Sequence, residues 1–371
     1  MKIADVEAIH LRLPEVKEIA DGTQDVLVVR VTTDSGISGL GEVVSCSHVA
    51  RAVIEAPRSA PYRHGLAASV TGLPADDIEG VWQAMIRDTA WYGPAGVTLH
   101  AMSAIDMALW DIRGKNANKP VRQLISDLAV DAVPCYASVI WPDQPDDVAR
   151  SVNAFMEQGY VAIKYGWGPM GPDPILDGEL VAAARDALAD NGMLMVDAGR
   201  AWDLETALER VYLFAPHNLF WLEEPLNPYD FAGFKSLVDH SPIAIATGEI
   251  LTTETEFYQL MTDGKINFVQ PDLGRVGGIS KARKVEELAQ ELNVRPVPHA
   301  FGTGILLAAS ANWIATATEP LTEYTQSHSP LARTAVRHSM MLGEDGKLRL
   351  SDDPGLGVEL EEEVIARYRM P

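Results

Sequence analysis

Two cysteines, Cys46 and Cys135, are all that 371 residues contain. They are too few and too far apart for a disulfide framework or a CxxC metal site, and a reducing cytoplasm fits that usage. Nor is there an uninterrupted apolar run of roughly 18 residues, the length a membrane-spanning helix needs. The opening MKIADVEAIHLRLPE alternates acidic and apolar residues and lacks the apolar centre of a signal peptide. Secretion, membrane insertion and a membrane partner are therefore not expected. Basic residues are also scarce, with 30 Lys and Arg against 52 Asp and Glu, a formal charge of -22. So acidic a chain repels phosphate backbones, which argues against nucleic acid as a partner. It repels an anionic substrate at long range as well, so any anion site must hold a local cation, either Lys, Arg or a metal. Finally, no GxGxxG follows the first strand-like run, which removes the fingerprint of an open dinucleotide-binding sheet.

What is present is alternation. Residues 2–13 and 25–44 read as strands, the later pair turning at Asp34, Ser35 and Gly36. Helical patterns follow over 75–88 and 97–115, the second with Leu99, Met102, Ile105, Leu109 and Ile112 at helical spacing. From residue 132 the pattern becomes short apolar runs, each followed by a helical stretch: AVPCYASVI, YVAIKYG, MLMVDAG, LFWLEEP, IAIATGE, INFVQPD, VRPVPHA and LTEYT. Eight such units at a period of about 25 residues predict a parallel sheet closed on itself. The expected fold class is thus α/β, a modified (β/α)8 TIM-type barrel with an α+β N-terminal capping domain completed by the C-terminal tail. The expected division is 1–125 for the capping domain, 126–335 for the barrel and 336–371 for a segment returning to the capping domain.

Polar residues interrupt these runs at their C-terminal ends, namely Lys164, Asp197, Glu223, Glu249, Asp272, His299 and Glu323. Asp197, Glu223 and Glu249 are spaced 26 apart twice (223 minus 197, 249 minus 223). In a barrel, matched positions at the strand ends place side chains around one ring at the catalytic face. A single acid at such a junction is ordinarily a helix cap. Three converging carboxylates instead cannot all stay ionised without a cation, and an all-oxygen set selects a hard ion, most simply one Mg²⁺. The second and sixth strands oppose each other in an eight-strand ring, so Lys164 is expected to face Asp272 and His299. An Asp beside a His orients the imidazole and raises its basicity, the arrangement of a general base. Glu323 is expected to hydrogen-bond the far oxygen of a bound carboxylate, with a rim salt bridge as the alternative. Period-2 alternation turns Glu224 away from Glu223, toward a structural role.

These residues lie in SAIDMALWDIRGK (103–115), MVDAG, WLEEP, ATGEI, QPD, VPHAFGTG and LTEY, followed by a closing DPGLGVEL. Together the motifs resemble the enolase superfamily, in its mandelate racemase/muconate lactonizing enzyme branch, over nearly the whole chain. They also resemble acid-sugar dehydratases and galactarolactone cycloisomerases. The resemblance implies proton abstraction α to a carboxylate, with Mg²⁺ holding the enediolate. Members with two opposed bases resemble a Lys-x-Lys pattern on the second strand, whereas this chain reads Lys164, Tyr165, Gly166. One-base chemistry is then expected. His299 removes the proton and a β-hydroxyl leaves, giving a 2-keto-3-deoxy acid. A sugar-lactone cycloisomerase or acid-sugar epimerase is the alternative, and a barrel that only binds is the third reading. Relatives often carry Asn two residues after the metal Asp. Here Gly199 and Arg200 follow, and Arg200 could clamp a second carboxylate or a distal hydroxyl, or pair with an acid at the rim. Tyr165 is a further candidate substrate contact, although strand alternation points it away unless the register slips. The resemblance places other contacts on capping-domain loops around Glu15 to Thr23 and Ser45 to Arg51, with His48, Arg51, Trp91 and Tyr92 as candidates. The expected ligand is a sugar acid (aldonate, aldarate or lactone), and a homo-oligomer from dimer to octamer is implied.

Overall fold

Antiparallel strands β1 (Ile3–Arg12), β2 (Asp25–Thr33) and β3 (Ser38–Val43) open the chain and pair in that order. The computed structural model describes residues 1–189 and 191–371. The helix Val97–Ala117 packs on β3, while its other side meets the barrel helix Gly278–Leu292, so Leu99, Met102, Ile105, Leu109 and Ile112 are all buried. Gly39 and Gly41 permit this approach, because a Cβ at either would strike the carbonyl oxygen of Ala108 or Ala104. The acids of the 103–115 motif are tied into the same contact. Asp106 accepts from Trp82 Nε1 at 2.8 Å and from the Ser280 amide at 3.0 Å. Asp111 accepts from the amides of Leu40 at 3.0 Å and Leu356 at 2.8 Å and from Lys115 Nζ at 2.7 Å.

Eight parallel strands follow at the eight apolar runs: β4 (Ala132–Ile140), β5 (Ala162–Gly166), β6 (Met193–Asp197), β7 (Trp221–Glu223), β8 (Ile245–Thr247), β9 (Phe268–Val269), β10 (Arg295–Pro296) and β11 (Thr322–Thr325). Ladders join β4 through β10 in order, and β11 returns to pair in parallel with β4, which curls the sheet into a barrel. Asp173, Asp203, Asp230 and Thr253 cap the helices that follow them, each side chain accepting a hydrogen bond from a first-turn amide. The expected eighth helix is not formed at full length. After β11 there is only Pro330–Thr334, five residues, because β11 ends at Thr325 and the next strand, β12 (Val336–His338), begins eleven residues later. Much of that short segment is occupied by a bond network to the first domain. Ser327 Oγ donates to Asp21 Oδ2 at 2.5 Å, and Ser329 Oγ donates to the Thr23 carbonyl at 2.8 Å.

The tail makes contacts at both ends of the molecule. β13 (Met341–Leu342) and β14 (Lys347–Arg349) form a hairpin whose second strand pairs with β4, and β15 (Val358–Leu360) pairs with β12. The last helix, Glu362–Tyr368, leads Arg369 to a bridge with Leu11 of β1. Among the described residues no helix is long and apolar enough to cross a membrane.

Inside the barrel, Tyr136, Ala162, Met195, Trp221, Ala246, Val297 and Leu321 form an apolar plug. The two-residue strand period carries this inward face upward to Lys164 on β5, Asp197 on β6 and Glu223 on β7, so the plug ends in a layer of charge. Above that layer, Glu42 of β3 crosses from the capping domain. Its carboxylate accepts from the Thr303 amide at 3.0 Å, the Thr303 hydroxyl at 2.6 Å and the Leu306 amide at 3.2 Å, capping the helix Gly304–Ile314.

Burial pushes the Glu42 carboxyl up to about 7, against the hydrogen bonds from Thr303 and Leu306, and pushes Asp106 up to about 6. Each binds its proton more tightly in the folded chain than in the unfolded one. The stability they confer is therefore full below the ordinary carboxylate range and is lost as pH rises through 6 and 7. Urea midpoints are expected to fall between about pH 5 and about pH 8, and Glu42→Gln is expected to flatten that fall while lowering stability by about 1–3 kcal/mol. An unchanged slope in the variant would remove Glu42 from the account.

Candidate active site

At the C-terminal ends of the barrel strands lies a cavity of about 280 Å³ walled in part by Lys164, Asp197, Glu249, His299 and Glu323. Asp197, Glu223 and Glu249 each offer a carboxylate oxygen within 4.8 Å of the others, and all three residues are buried. Asp197 accepts from the Gly199 amide at 2.8 Å and from Trp167 Nε1 at 3.1 Å. Glu223 accepts from Lys164 Nζ at 2.5 Å on one oxygen, and from Trp221 Nε1 at 2.8 Å and Gln270 Nε2 at 2.7 Å on the other. Burial, and then the Glu223 charge, push the Asp197 carboxyl well above the usual range, and burial also raises Glu223 against the pull of Lys164. Glu249 behaves differently. Burial would raise it, but His299, Arg275 and Lys164 together hold it below its ordinary value. Three crowded carboxylates with only oxygen to offer could hold a hard divalent ion, which removes the repulsion that raises Asp197.

His299 and Asp272 sit just beyond β10 and β9, where their backbones form a parallel bridge. Nδ1 of His299 lies 2.5 Å from Asp272 Oδ2, and the other Asp272 oxygen accepts from the Gly274 amide at 2.6 Å. Nε2 is thereby directed toward the carboxylate triad, 3.3 Å from Glu249 Oε2. Burial would lower the imidazolium, but Glu249, Glu323 and Asp272 outweigh it and take His299 up to about 10. Glu249 is the foremost of these, so a dication shared by the triad would bring the imidazole back toward its neutral, basic form.

Glu323 lies opposite on β11. One oxygen accepts from the Ala300 amide at 2.5 Å, which ties β11 to the loop carrying His299. The other lies 2.9 Å from Lys164 Nζ, an ion pair too bent to count as a hydrogen bond. Burial would raise Glu323, but Lys164 and His299 bring it down to about 2. Glu323 is thus held as a carboxylate beside Lys164 and His299. Lys164 itself is 3% exposed. Burial would lower its ammonium, yet Glu223 and Glu323 hold it well above the ordinary lysine range.

Gly166 stands two residues beyond Lys164 at the end of β5. A Cβ there would lie 2.7 Å from Asp197 Cβ and 2.9 Å from its Oδ2, so the position is closed to a side chain while Asp197 stays in place. Trp167 follows at φ 59, and its ring lies against Gly199, where a Cβ would be 3.0 Å from the indole. The Arg200 guanidinium stands 5.2 Å from the centre of the same ring, and Arg200 lines the cavity.

Several expected contacts lie elsewhere. Tyr165 turns outward, stacking on Trp141 at 4.6 Å and donating to Ser151 Oγ at 2.8 Å, as the strand alternation requires. His48 is exposed and packs on His10 at 4.5 Å, because the helix Ser47–Glu55 faces the capping domain. Trp91 is 65% exposed and stacks with Arg63, Tyr92 donates to the His64 carbonyl, and Arg51 holds Glu55 and the Pro371 carbonyl. None of these lines the cavity. Of the two capping loops, 15–23 contributes Ala20 and Gly22, while 45–51 contributes only Ser45, to a smaller adjoining hollow. Glu224 is buried at φ 44 and accepts from Thr247 Oγ1 and the Gly248 amide, joining β7 to β8. Sequence reasoning missed Trp167, Arg275 and Phe301. A cation three residues after Asp272 was a readable signal for Arg275, but its reach across to Val44 was not.

Comparison with known proteins agrees with this arrangement. Residues 9–126 match the family described as "Mandelate racemase / muconate lactonizing enzyme, N-terminal domain", and residues 147–364 match "Enolase C-terminal domain-like". The chain is 32% identical to an L-talarate/galactarate dehydratase of Salmonella typhimurium, over 97% of this chain and 85% of that protein. It is 29% identical to a D-galactarolactone cycloisomerase of Agrobacterium fabrum, over 93% and 91%. A solved racemase from Streptomyces coelicolor with bound magnesium superposes with a TM-score of 0.85 at 29% identity, over 99% of this chain and 100% of that one. With both domain types matched along the chain and the barrel in place, the protein belongs to the mandelate racemase/muconate lactonizing enzyme family of the enolase superfamily.

Proposed function

We propose that this protein is a Mg²⁺-dependent acid-sugar dehydratase, a hydro-lyase that works with one base on one face of its substrate. The observation that carries the reading is the pairing of a Asp272-oriented His299 with a Gly166 that has no room for a base. The sugar-acid class is supported by the names of the Salmonella and Agrobacterium relatives, and the choice of ion by the magnesium in the Streptomyces protein. Asp197, Glu223 and Glu249 would hold the ion, which when bound supplies positive charge beside the substrate carboxylate and so acidifies the neighbouring C–H.

His299 Nε2 takes the proton from the carbon α to the carboxylate, and Asp272 keeps the imidazole in the tautomer that leaves Nε2 free. Lys164, pinned between Glu223 and Glu323, remains an ammonium and neutralises charge growing on the carboxylate rather than acting as a second base. Glu323 serves by placing Lys164 and, through Ala300, the loop that carries His299. As the C–H electron pair moves to form the double bond, the β-carbon to oxygen bond breaks. The imidazolium on the same face returns its proton to the departing hydroxide as water. The enol that remains tautomerises to a 2-keto-3-deoxy acid.

Sugar mono- and diacids incubated with Mg²⁺ in D₂O should give a keto product seen by semicarbazide and ¹H NMR. His299→Asn should lower that rate by about 100-fold or more. Exchange at C2 without a keto product would sink dehydration in favour of epimerisation, and ring closure or opening of a lactone without loss of water would point to cycloisomerisation. Gly166→Ala should weaken Mg²⁺ binding by about tenfold or more in calorimetric titration, because its Cβ displaces Asp197. Unaltered affinity would show that Asp197 does not need the space.

A further inference from the structure

We infer that the substrate of this site is a sugar diacid whose distal carboxylate is received between Arg200 and Arg275. The inference rests on the dehydratase reading only for the position of the first carboxylate, beside Lys164 and the acidic triad.

Three permanent cations line the cavity, Lys164, Arg200 and Arg275. Lys164 is already neutralised, with Glu223 at 2.5 Å and Glu323 at 2.9 Å. The two guanidiniums form no such contact, although Arg275 lies near enough to Glu249 to help hold that carboxyl down. Among the described residues no carboxylate oxygen lies within 4.0 Å of either. Elsewhere in this acidic chain, buried arginines are paired. Arg122 meets Asp131 at 2.9 Å and Asp352 at 2.6 Å, and Arg210 meets Asp177 at 2.8 Å. Arg200 and Arg275 are half-buried rather than enclosed, and what sets them apart is that both line one cavity without an ion pair there, which leaves their charge accessible to an anion.

Both are also held ready. Arg275 donates from Nε to the Val44 carbonyl at 3.1 Å and from Nη1 to the Glu249 carbonyl at 3.2 Å, spanning capping domain and barrel. Those bonds neutralise no charge, and they leave Nη2 without a protein partner among the described residues. Arg200 lies over the Trp167 ring, which is itself anchored by its bond to Asp197 Oδ2. Its backbone, at φ 65, is fixed by a bond from its amide to the Glu224 carbonyl at 2.6 Å. Gly199 without a Cβ is what lets the indole lie there. Trp167, Gly199 and Arg200 thus form one unit, an aromatic shelf beneath a guanidinium. Arg200 follows β6 and Arg275 follows β9, so they reach the cavity from different sides of the ring, and an anion between them meets both.

The test compares hexaric diacids with the hexonic acids of matched configuration, galactarate against galactonate among them, with the Mg²⁺-loaded enzyme. Wild type should favour the diacid in kcat/KM. Arg200→Gln and Arg275→Gln should each lower the diacid-to-monoacid preference by about 10- to 100-fold. Arg275→Lys serves in place of the glutamine variant if loss of the interdomain bonds impairs folding. A wild type indifferent to the second carboxylate, or a preference unchanged in both variants, would overturn the inference while leaving dehydration standing. If no sugar acid turns over at all, it is the dehydratase reading that fails. The cation pair is then judged by thermal shift alone, since stabilisation by the diacid that Arg200→Gln abolishes supports it and absence of any diacid-specific shift overturns it.

Discussion

Lys164 places an ammonium between Glu223 and Glu323, deep in a site that also gathers Asp197, Glu249 and Asp272. Five carboxylates so close together repel one another, and burial removes the water that would screen them. The lysine offsets part of that repulsion. The rest is visible in the upward displacement of Asp197 and Glu223 and of the His299 imidazolium. A divalent ion held by Asp197, Glu223 and Glu249 would offset more of it. Protein bonds alone hold these residues in place: Asp197 by Gly199, Glu223 by Trp221 and Gln270, Glu323 by Ala300.

Rigid strand ends alone would leave the cavity open, and polar ties from the capping domain, added to the apolar core the two domains share, close it. Glu42 caps a barrel helix, Arg275 reaches the Val44 carbonyl, and Asp21 and Thr23 bind Ser327 and Ser329. Each tie ends within a few residues of something that lines the cavity. The short eighth unit belongs to the same design, since the segment that would wind a final helix is occupied holding the 15–23 loop in place.

Much of this was legible beforehand. The eight apolar runs, the polar residue at the end of each and the 26-residue spacing located the barrel and its charged ring, because strand period and strand length are local properties. The inward set Lys164, Asp197 and Glu223 followed from alternation, whereas Tyr165, expected as a substrate contact, turns outward as that same alternation requires. His48 and Trp91 were different. Their types suited a substrate contact, but the direction of the helix Ser47–Glu55 and the loop after Ile78–Asp88 depends on how the capping domain packs, which no local pattern encodes.

By itself, then, the sequence determined the barrel, the acidic triad and the His299–Asp272 pair, since each is a matter of residue type at a periodic position. Only the tertiary structure decided that Gly166 is closed by Asp197, that Trp167 and Gly199 form a shelf beneath Arg200, and that Arg275 reaches the Val44 and Glu249 carbonyls from the cavity wall. Those facts depend on contacts between segments tens to hundreds of residues apart, and such contacts are set by packing rather than by local preference.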